Sequence, residues 1–139
     1  AVEIIDGIMA MKSNTSLNVE NFNNLGTLRG FTPWVYMDQI SKGVMKLSEA
    51  NDVKALISMV ESGRIQGAFF NIIVSRYYLN NTLKKPDLLE FKSDLPHSRA
   101  DFMLSTMKHP EIIAQFNEFL KSNQSTVEAL KDKYQVRLP

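Results

Sequence analysis

The residues best suited to bind a charged group form a short turn over positions 28–33, with the sequence LRGFTP. Gly30 lets a ligand approach the main chain, Thr32 adds a hydroxyl group, and Arg29 adds a positive charge. Backbone N–H groups that precede a helix point outward, with the helix dipole behind them. We therefore predict that Arg29, Gly30, Phe31 and Thr32 bind a carboxylate or a phosphate.

A second candidate group lies in the segment 63–71, GRIQGAFFN. Gly63 ends a helical pattern, and the apolar run that follows it predicts a strand with Asn71 at its carboxyl end. Ligands of open parallel sheets bind at the carboxyl ends of strands, near a topological switch. We predict that Gln66 and Asn71 contribute side-chain amides to the same site, although Asn71 is equally well placed to cap the following helix.

Other kinds of chemistry find little support. The chain has no cysteine, which excludes disulfides, thiolate catalysis and Cys-ligated zinc. The two histidines, His97 and His109, lie beside prolines outside any metal-binding motif, and no Gly-x-Ser-x-Gly elbow or phosphate-binding glycine loop is present. We expect no catalytic residue, no metal and no cofactor; a catalytic triad assembled in space would need one of these histidines.

Charge and hydropathy limit the partners. The 139 residues carry a formal net charge of +1, from 16 basic and 15 acidic side chains with no block of like charge. This balance predicts neither nucleic-acid binding nor a polybasic membrane patch. No stretch approaches the roughly 20 apolar residues that span a bilayer, so we expect no membrane insertion. The start at Ala1 without an initiator Met suggests a processed or truncated piece.

The elements that must position these residues alternate between strands and helices. Strands are predicted over 26–29, 44–47 and 65–70, and helices between Thr32 and Gly43, between a cap at Asn51 or Asp52 and Gly63, and over 72–79. The second helix is the clearest, because its apolar residues follow the i, i+3, i+4, i+7 spacing. Short connections between alternating elements predict an α/β fold with a parallel-type β-α-β-α-β sheet and flanking helices.

Further elements are predicted on both sides of this unit. A strand is expected over 4–11, and two more over 88–91 and 100–107. Two helices close the chain, and the first of them carries an apolar stripe that includes Ile112, Phe116 and Phe119. The second helix is expected to open with a capping box, in which the side chains of Ser125 and Glu128 satisfy each other's backbone N–H groups.

Taken together, several stretches resemble the type 2 periplasmic-binding fold, in particular the family 3 extracellular solute-binding proteins. The segment 6–12 (DGIMAMK) is similar to the strand by which that family's chain enters its second lobe. The segment 24–34 (NLGTLRGFTPW) is similar to the turn that holds the ligand carboxylate, and 63–71 resembles the motif Gly-Arg-Ile/Val-Asp-Ala with a second Asp. The end of the chain resembles the family's two closing helices.

The resemblance implies a division of the chain between two lobes. Residues 1–99 would form the second lobe, and residues 100–139 the returning strand and two C-terminal helices that belong to lobe one. Most of lobe one would be absent. The implied function is that of a solute-binding module of a transport or sensing system, periplasmic or extracellular and made with a signal peptide, whose partners are a small-molecule solute and a membrane transporter or sensor.

The departures from the family pattern bear on the ligand. Where amino-acid binders of the family carry an Asp that meets the ligand's ammonium group, this chain has Gln66, and where a second Asp often follows, it has Asn71. Charge-assisted hydrogen bonds are about twice as strong as neutral ones. We therefore expect a small polar or anionic ligand rather than a standard α-amino acid.

Two other functions stay open from the sequence. A small α/β enzyme would use the same crevice, and it would be favoured if His97 lay within hydrogen-bond reach of a serine there. A non-catalytic interaction domain would be favoured by a closed or absent pocket. The apolar stripe of the closing helices also predicts that they fold back onto the remaining lobe or self-associate with another chain.

Overall fold

The computed structural model describes residues 2–138. The strands are β1 (Val2–Met11), β2 (Asn24–Leu28), β3 (Lys46–Ala50), β4 (Gly67–Asn71), β5 (Leu89–Phe91) and β6 (Ser98–Phe102). The helices are α1 (Met37–Ser41), which follows a 3-10 turn over Trp34–Tyr36, then α2 (Val53–Glu61), α3 (Ile72–Tyr78) with a π-helical turn over Leu79–Leu83, α4 (Pro110–Ser122) and α5 (Gln124–Lys133).

The chain forms two compact units. One is Ile5–Arg99, which contains most of the sheet, and the other contains residues 2–4 and 100–138. Strand β1 and strand β6 both run through the boundary between the units. The assignment of these parts to two lobes of a binding protein stays a prediction.

The sheet is mixed and has the strand order β3-β2-β4-β1-β5, with β6 also paired to β1. Strand β2 is parallel to both β3 and β4. Strand β1 is antiparallel to β4 and to β5. The predicted α/β class with its parallel β-α-β-α-β unit is therefore confirmed, and the pairing adds antiparallel neighbours that the alternation of elements did not predict.

Both faces of the sheet are covered by apolar side chains. On one face, Ile8, Leu25 and Phe69 pack with Tyr36 in a buried cluster, and the hydroxyl group of Tyr36 donates to the carbonyl oxygen of Pro96 at 2.9 Å. Helix α2 packs against β2, β3 and β4 and buries Leu56, Ile57 and Val60, the spacing that the sequence predicted. This packing fixes the strand ends relative to one another.

The predicted helix ends are confirmed at some residues and wrong at others. Asp52 caps α2 through a hydrogen bond from Ala55 N–H at 2.8 Å, and Gly43 and Gly63 have positive φ angles of 70° and 72° after α1 and α2. The first helix was expected to begin at a Thr32 cap, but Thr32 does not cap a helix, because the 3-10 turn begins after Pro33 without a side-chain cap. The predicted capping box is also wrong, because α5 begins after Asn123 and not after Ser125.

Two strands are displaced from their predicted positions. Strand β3 begins at Lys46 rather than Val44, because the N–H groups of Val44 and Met45 both donate to the carbonyl oxygen of Gln39 and extend the turn after α1. Strand β6 covers Ser98–Phe102 instead of 100–107, and the remaining apolar residues of that run lie outside any strand.

The unit formed by residues 2–4 and 100–138 lacks a core. Within residues 100–138 no side chain is buried. Helix α4 contacts α5, yet large apolar side chains on both are exposed: Ile112, Phe116, Phe119, Leu130 and Tyr134. Across residues 2–138, every helix is too short or too polar to pass through a lipid bilayer.

Candidate functional site

One edge of the sheet in the unit Ile5–Arg99 collects the polar residues of interest. Strands β2 and β4 are parallel neighbours, so their carboxyl ends lie at the same edge. Strand β1 is antiparallel to β4, and its residue Asp6 pairs with Asn71, the last residue of β4. The amino-terminal part of β1 therefore reaches the edge where β2 and β4 end. We call this edge, with the turn 29–32, Asn71 and Asp6, the polar edge.

The turn after β2 is held against the end of β4 by aromatic contacts. The ring of Phe31 lies 6.1 Å from that of Phe69 and 5.3 Å from that of Phe70, measured between centroids. The hydroxyl oxygen of Thr27 is 3.0 Å from the carbonyl oxygen of Phe69 and 3.3 Å from that of Phe31. Phe31 is thus a packing residue that positions the turn, with part of its side chain accessible.

Two backbone N–H groups of the turn are unpaired. The N–H of Arg29 donates to Ala50 O and that of Phe31 to Leu28 O, both at 2.9 Å. Within residues 2–138, the N–H groups of Gly30 and Thr32 have no acceptor in the protein. Gly30 has φ of 83°, and beyond its two chain neighbours no heavy atom lies within 4 Å of the place where a Cβ would stand. The turn therefore presents main-chain donors on an open surface.

Side chains add to these donors. Among the described residues, the hydroxyl group of Thr32 forms no hydrogen bond and the exposed guanidinium of Arg29 forms no salt bridge. Two N–H groups, one hydroxyl group and one positive charge thus lie within the four residues of this turn, and donors of these kinds bind anionic groups. The predicted helix dipole contributes little, because the element after Pro33 is a 3-10 turn of 3 residues.

Asn71 lies at the same edge and has two roles. Its Oδ1 accepts the N–H of Val74 at 3.1 Å, which caps α3. Leu25 pairs with Gly67 and Gly26 with Ala68, so continuing this register sets Asn71 level with Arg29. Asn71 therefore lies beside the turn, and it also caps α3.

Asp6 is a polar-edge residue that the sequence did not single out. It stands directly across from Asn71, and opposite residues of an antiparallel pair project to the same face of a sheet. Desolvation by burial raises the pKa of its carboxyl group, and a side-chain hydrogen bond with Asn71 partly opposes that shift. The available signal was a charged residue within an otherwise apolar strand.

Gln66 lies elsewhere, and the prediction that it shares an edge with the turn is wrong. It precedes β4, so it stands at the opposite end of that strand from Asn71. Its Oε1 accepts the N–H groups of Asn23 and Asn24 at 2.9 and 3.0 Å, and its Nε2 donates to Asn21 O at 2.9 Å. Gln66 is therefore a structural residue that fastens the loop before β2.

Trp34 is a second residue that the sequence did not single out. It follows Pro33 at the start of the 3-10 turn, and its N–H donates to Thr32 O at 2.9 Å. Its side chain is 77% exposed. As the single tryptophan of the chain, it provides a fluorescence signal next to the unpaired donors of the turn.

The histidine that the alternative enzyme would need is otherwise engaged. Nδ1 of His97 lies 3.0 Å from the carbonyl oxygen of Leu95, and its ring packs edge-on against Phe91 at 5.2 Å between centroids. In the described part of the chain, no serine hydroxyl bonds to His97, and no group of three His, Asp or Glu side chains is arranged to hold a metal ion.

The structure is similar over nearly its whole length to solved structures of solute-binding domains, so the predicted type 2 periplasmic-binding fold is confirmed. No family model matches the sequence, and a comparison with curated proteins found no match. The fold assignment therefore depends on solved structures.

Three of these structures show the likeness. The second substrate binding domain of a putative amino acid ABC transporter from Streptococcus pneumoniae is 17% identical with a TM-score of 0.63, over 96% of this chain and 61% of that one. The arginine-, lysine-, histidine-binding protein ArtJ from Geobacillus stearothermophilus is 11% identical with a TM-score of 0.63, over 99% and 61%. The AvGluR1 ligand binding domain in complex with serine is 15% identical with a TM-score of 0.64, over 98% and 59%.

The chain therefore spans about three fifths of the length of the structures that it resembles. The matched region is 61%, 61% and 59% of those three chains. At these low identities the likeness establishes the fold and carries no residue role across.

Proposed function

We propose that this chain is a solute-binding module that holds a small polar ligand at the polar edge. The observation that carries the proposal is the group of unpaired donors at Gly30, Thr32 and Arg29, beside the carboxyl ends of two parallel strands. Ligands of open α/β sheets bind at such ends. The proteins named above are binding domains and binding proteins, which supports a role in binding without chemistry.

The binding mechanism follows from the donors. The N–H groups of Gly30 and Thr32 and the hydroxyl group of Thr32 bind an anionic group of the ligand, and Arg29 adds long-range attraction. Phe31 holds the turn in place through its contacts with β4. A second lobe supplied outside the unit Ile5–Arg99 would close on the ligand, as in hinge-bending binding proteins.

The expected exclusion of standard α-amino acids is not retained. It depended on two neutral amides in the cleft, at Gln66 and Asn71, and Gln66 lies at the other end of β4. The named neighbours include an arginine-, lysine-, histidine-binding protein and a domain bound to serine. We therefore propose a small polar solute with an anionic group and include amino acids among the candidates.

The proposal also gives the partners and the location. A binding module of this fold delivers its solute to a membrane transporter or signals to a membrane sensor, and one of the neighbours is a domain of an ABC transporter. We propose a periplasmic or extracellular location. We propose neither nucleic-acid binding nor insertion into the membrane.

A titration followed by nuclear magnetic resonance tests the site. The ¹⁵N-labelled 139-residue chain is titrated with L-serine, L-glutamine and their deaminated carboxylic acids up to high millimolar concentration. Saturable shifts at the amides of Gly30 and Thr32, with a change in Trp34 fluorescence, are expected. Arg29→Gln is expected to weaken the binding about threefold, the scale of an exposed ion pair.

Arg64→Gln is the matched control, because Arg64 is also exposed and lies beside the opposite end of β4. It is expected to bind as the unaltered chain does. Shifts confined to other parts of the chain, or none at all for any carboxylate, would refute the proposal and favour the non-catalytic interaction domain.

A further inference from the structure

The indole of Trp34 is a large apolar surface that the fold leaves in water. Trp34 is the single tryptophan of the chain, and its side chain is 77% exposed. Within residues 2–138, none of the contacts between aromatic rings or between a cation and a ring includes it. Tryptophan side chains are highly buried on average, because removing apolar area from water stabilises a folded protein. An indole exposed to this degree contributes little to folding and is accessible to a ligand.

The backbone keeps this indole close to the unpaired donors of the turn. Trp34 follows Thr32 by two residues, so their Cα atoms are at most about 7 Å apart. The N–H of Trp34 donates to Thr32 O at 2.9 Å. Pro33, between them, is buried and has a φ of −80°, an angle that its ring restricts. The indole and the donors of Thr32 are therefore attached to one restrained piece of main chain.

Two further rings lie beside the same donors. Phe31 stands between Gly30 and Thr32 in the turn, and its ring meets that of Phe70 edge-on at 5.3 Å between centroids. Both phenylalanine side chains are partly exposed. The polar edge thus combines a few hydrogen-bond donors with aromatic surface, which is the usual composition of a site for a small molecule.

We propose that Trp34 determines specificity at the polar edge by packing against an aromatic ring of the solute. This inference rests on the proposed function, which assigns the anionic group of the solute to the turn. It adds that the preferred solute is a carboxylate that also carries an aromatic ring, with Phe31 and Phe70 extending the apolar surface. Offset-stacked and edge-to-face pairs of rings stabilise a complex beyond the area that they bury.

The experiment uses pairs of carboxylates that differ only in a phenyl group. Phenylacetate is compared with acetate, and L-phenylalanine with L-alanine, through the amide shifts of Gly30 and Thr32 in the ¹⁵N-labelled chain. The variants are Trp34→Ala, which removes the ring, and Trp34→Phe, which keeps a smaller one. Tyr77→Ala is the matched control, because Tyr77 is 49% exposed and lies near the end of α3 that is distant from the polar edge.

The unaltered chain should bind the ring-bearing member of each pair about fivefold more tightly, the scale of one contact between aromatic rings. Trp34→Ala should bring the two affinities of each pair close together, and Trp34→Phe should keep part of the preference. Tyr77→Ala should keep all of it. The ratio between paired probes is a readout that a purely structural role of Trp34 would not move.

The outcomes separate the two proposals. Equal binding of both members of each pair at the turn, or a ring preference that persists in Trp34→Ala, would overturn the role of Trp34 and leave the proposed function standing. Absence of shifts at Gly30 and Thr32 for all four probes would overturn both.

Discussion

Asp6 gives the clearest link between one residue and the behaviour of the protein in solution. Burial raises the pKa of its carboxyl group above the ordinary value of an aspartic acid, so the folded state binds its proton more tightly than the unfolded chain does. The free energy of unfolding then falls as the pH rises from the unfolded pKa through the raised folded pKa, and it is constant above that window. The ionised carboxylate of Asp6 thus lowers the stability of the folded chain.

We predict that Asp6→Asn removes this pH dependence and stabilises the unliganded chain at neutral pH. The measurement is urea unfolding of both proteins at a series of pH values from about 3 to 7, which covers the range in which carboxyl groups titrate in proteins. The difference between the two curves isolates Asp6, because acids with lowered pKa such as Glu128 and Asp132 remain in both proteins. A constant difference across the range would contradict the prediction.

Gly30 is the turn residue whose backbone conformation a side chain would strain. Its φ of 83° lies in the left-handed region, and open space surrounds the position of a Cβ. Gly30→Ala is therefore expected to cost about 1 kcal/mol through backbone strain, without a steric clash. Gly30→Asn, which tolerates this conformation better, should cost less. Thermal unfolding of the two variants tests this order, and equal stability of Gly30→Ala and the unaltered chain would count against it.

At the scale of elements, Gln66 shows how a strand's direction decides a residue's role. Its side chain joins the start of β4 to the loop before β2 through hydrogen bonds with Asn21, Asn23 and Asn24. We predict that Gln66→Ala lowers the free energy of unfolding by about 1–3 kcal/mol, since it leaves main-chain groups without their partner. Urea unfolding gives this value.

The same variant also separates structure from binding. Because Gln66 lies away from the polar edge, the affinity of Gln66→Ala for the probes that shift Gly30 and Thr32 should stay within about twofold of the unaltered value, the scatter of sites that do not interact. A large loss of affinity together with normal stability would indicate that Gln66 does contribute to the binding site.

The elements that local patterns could predict were those with local causes. Helix α2 follows from its apolar spacing and the cap at Asp52, and α3 from the cap at Asn71. The turn 29–32 could be placed because a strand, a glycine and a proline follow one another along the chain. Such signals act within a few residues and do not depend on the rest of the fold.

What could not be predicted depends on pairing between distant segments. The register of Asp6 with Asn71 joins residues far apart in sequence, and no local pattern encodes that β1 runs antiparallel to β4. The misplacement of Gln66 has a related cause. The motif that contains it gives the order of residues, whereas the edge at which a residue lies depends on where the strand begins, and β4 begins one residue after Gln66.

At the scale of the whole molecule, the buried side chains are concentrated in one of the two units. The unit Ile5–Arg99 contains the buried cluster around Phe69 and Tyr36. Within residues 100–138, by contrast, large apolar side chains of α4, α5 and the segments beside them are exposed: Phe102, Met103, Met107, Ile112, Phe116, Phe119, Leu130 and Tyr134. Contiguous apolar surface of this kind is rarely left in contact with water.

We therefore predict that the 139-residue chain self-associates through α4 and α5. Multi-angle light scattering should give a mass above 15.8 kDa that rises with concentration. Replacing Phe116 and Phe119 together by serine should restore the monomer, because both side chains belong to the exposed stripe of α4. Val19→Ser is the matched control, since Val19 is 55% exposed in a loop of the other unit. A monomer in which α4 and α5 resist proteolysis would indicate that their apolar side chains pack within one chain, and it would contradict self-association. A strict monomer in which protease cleaves these helices would show that the apolar side chains stay exposed to water, and it would contradict the prediction as well.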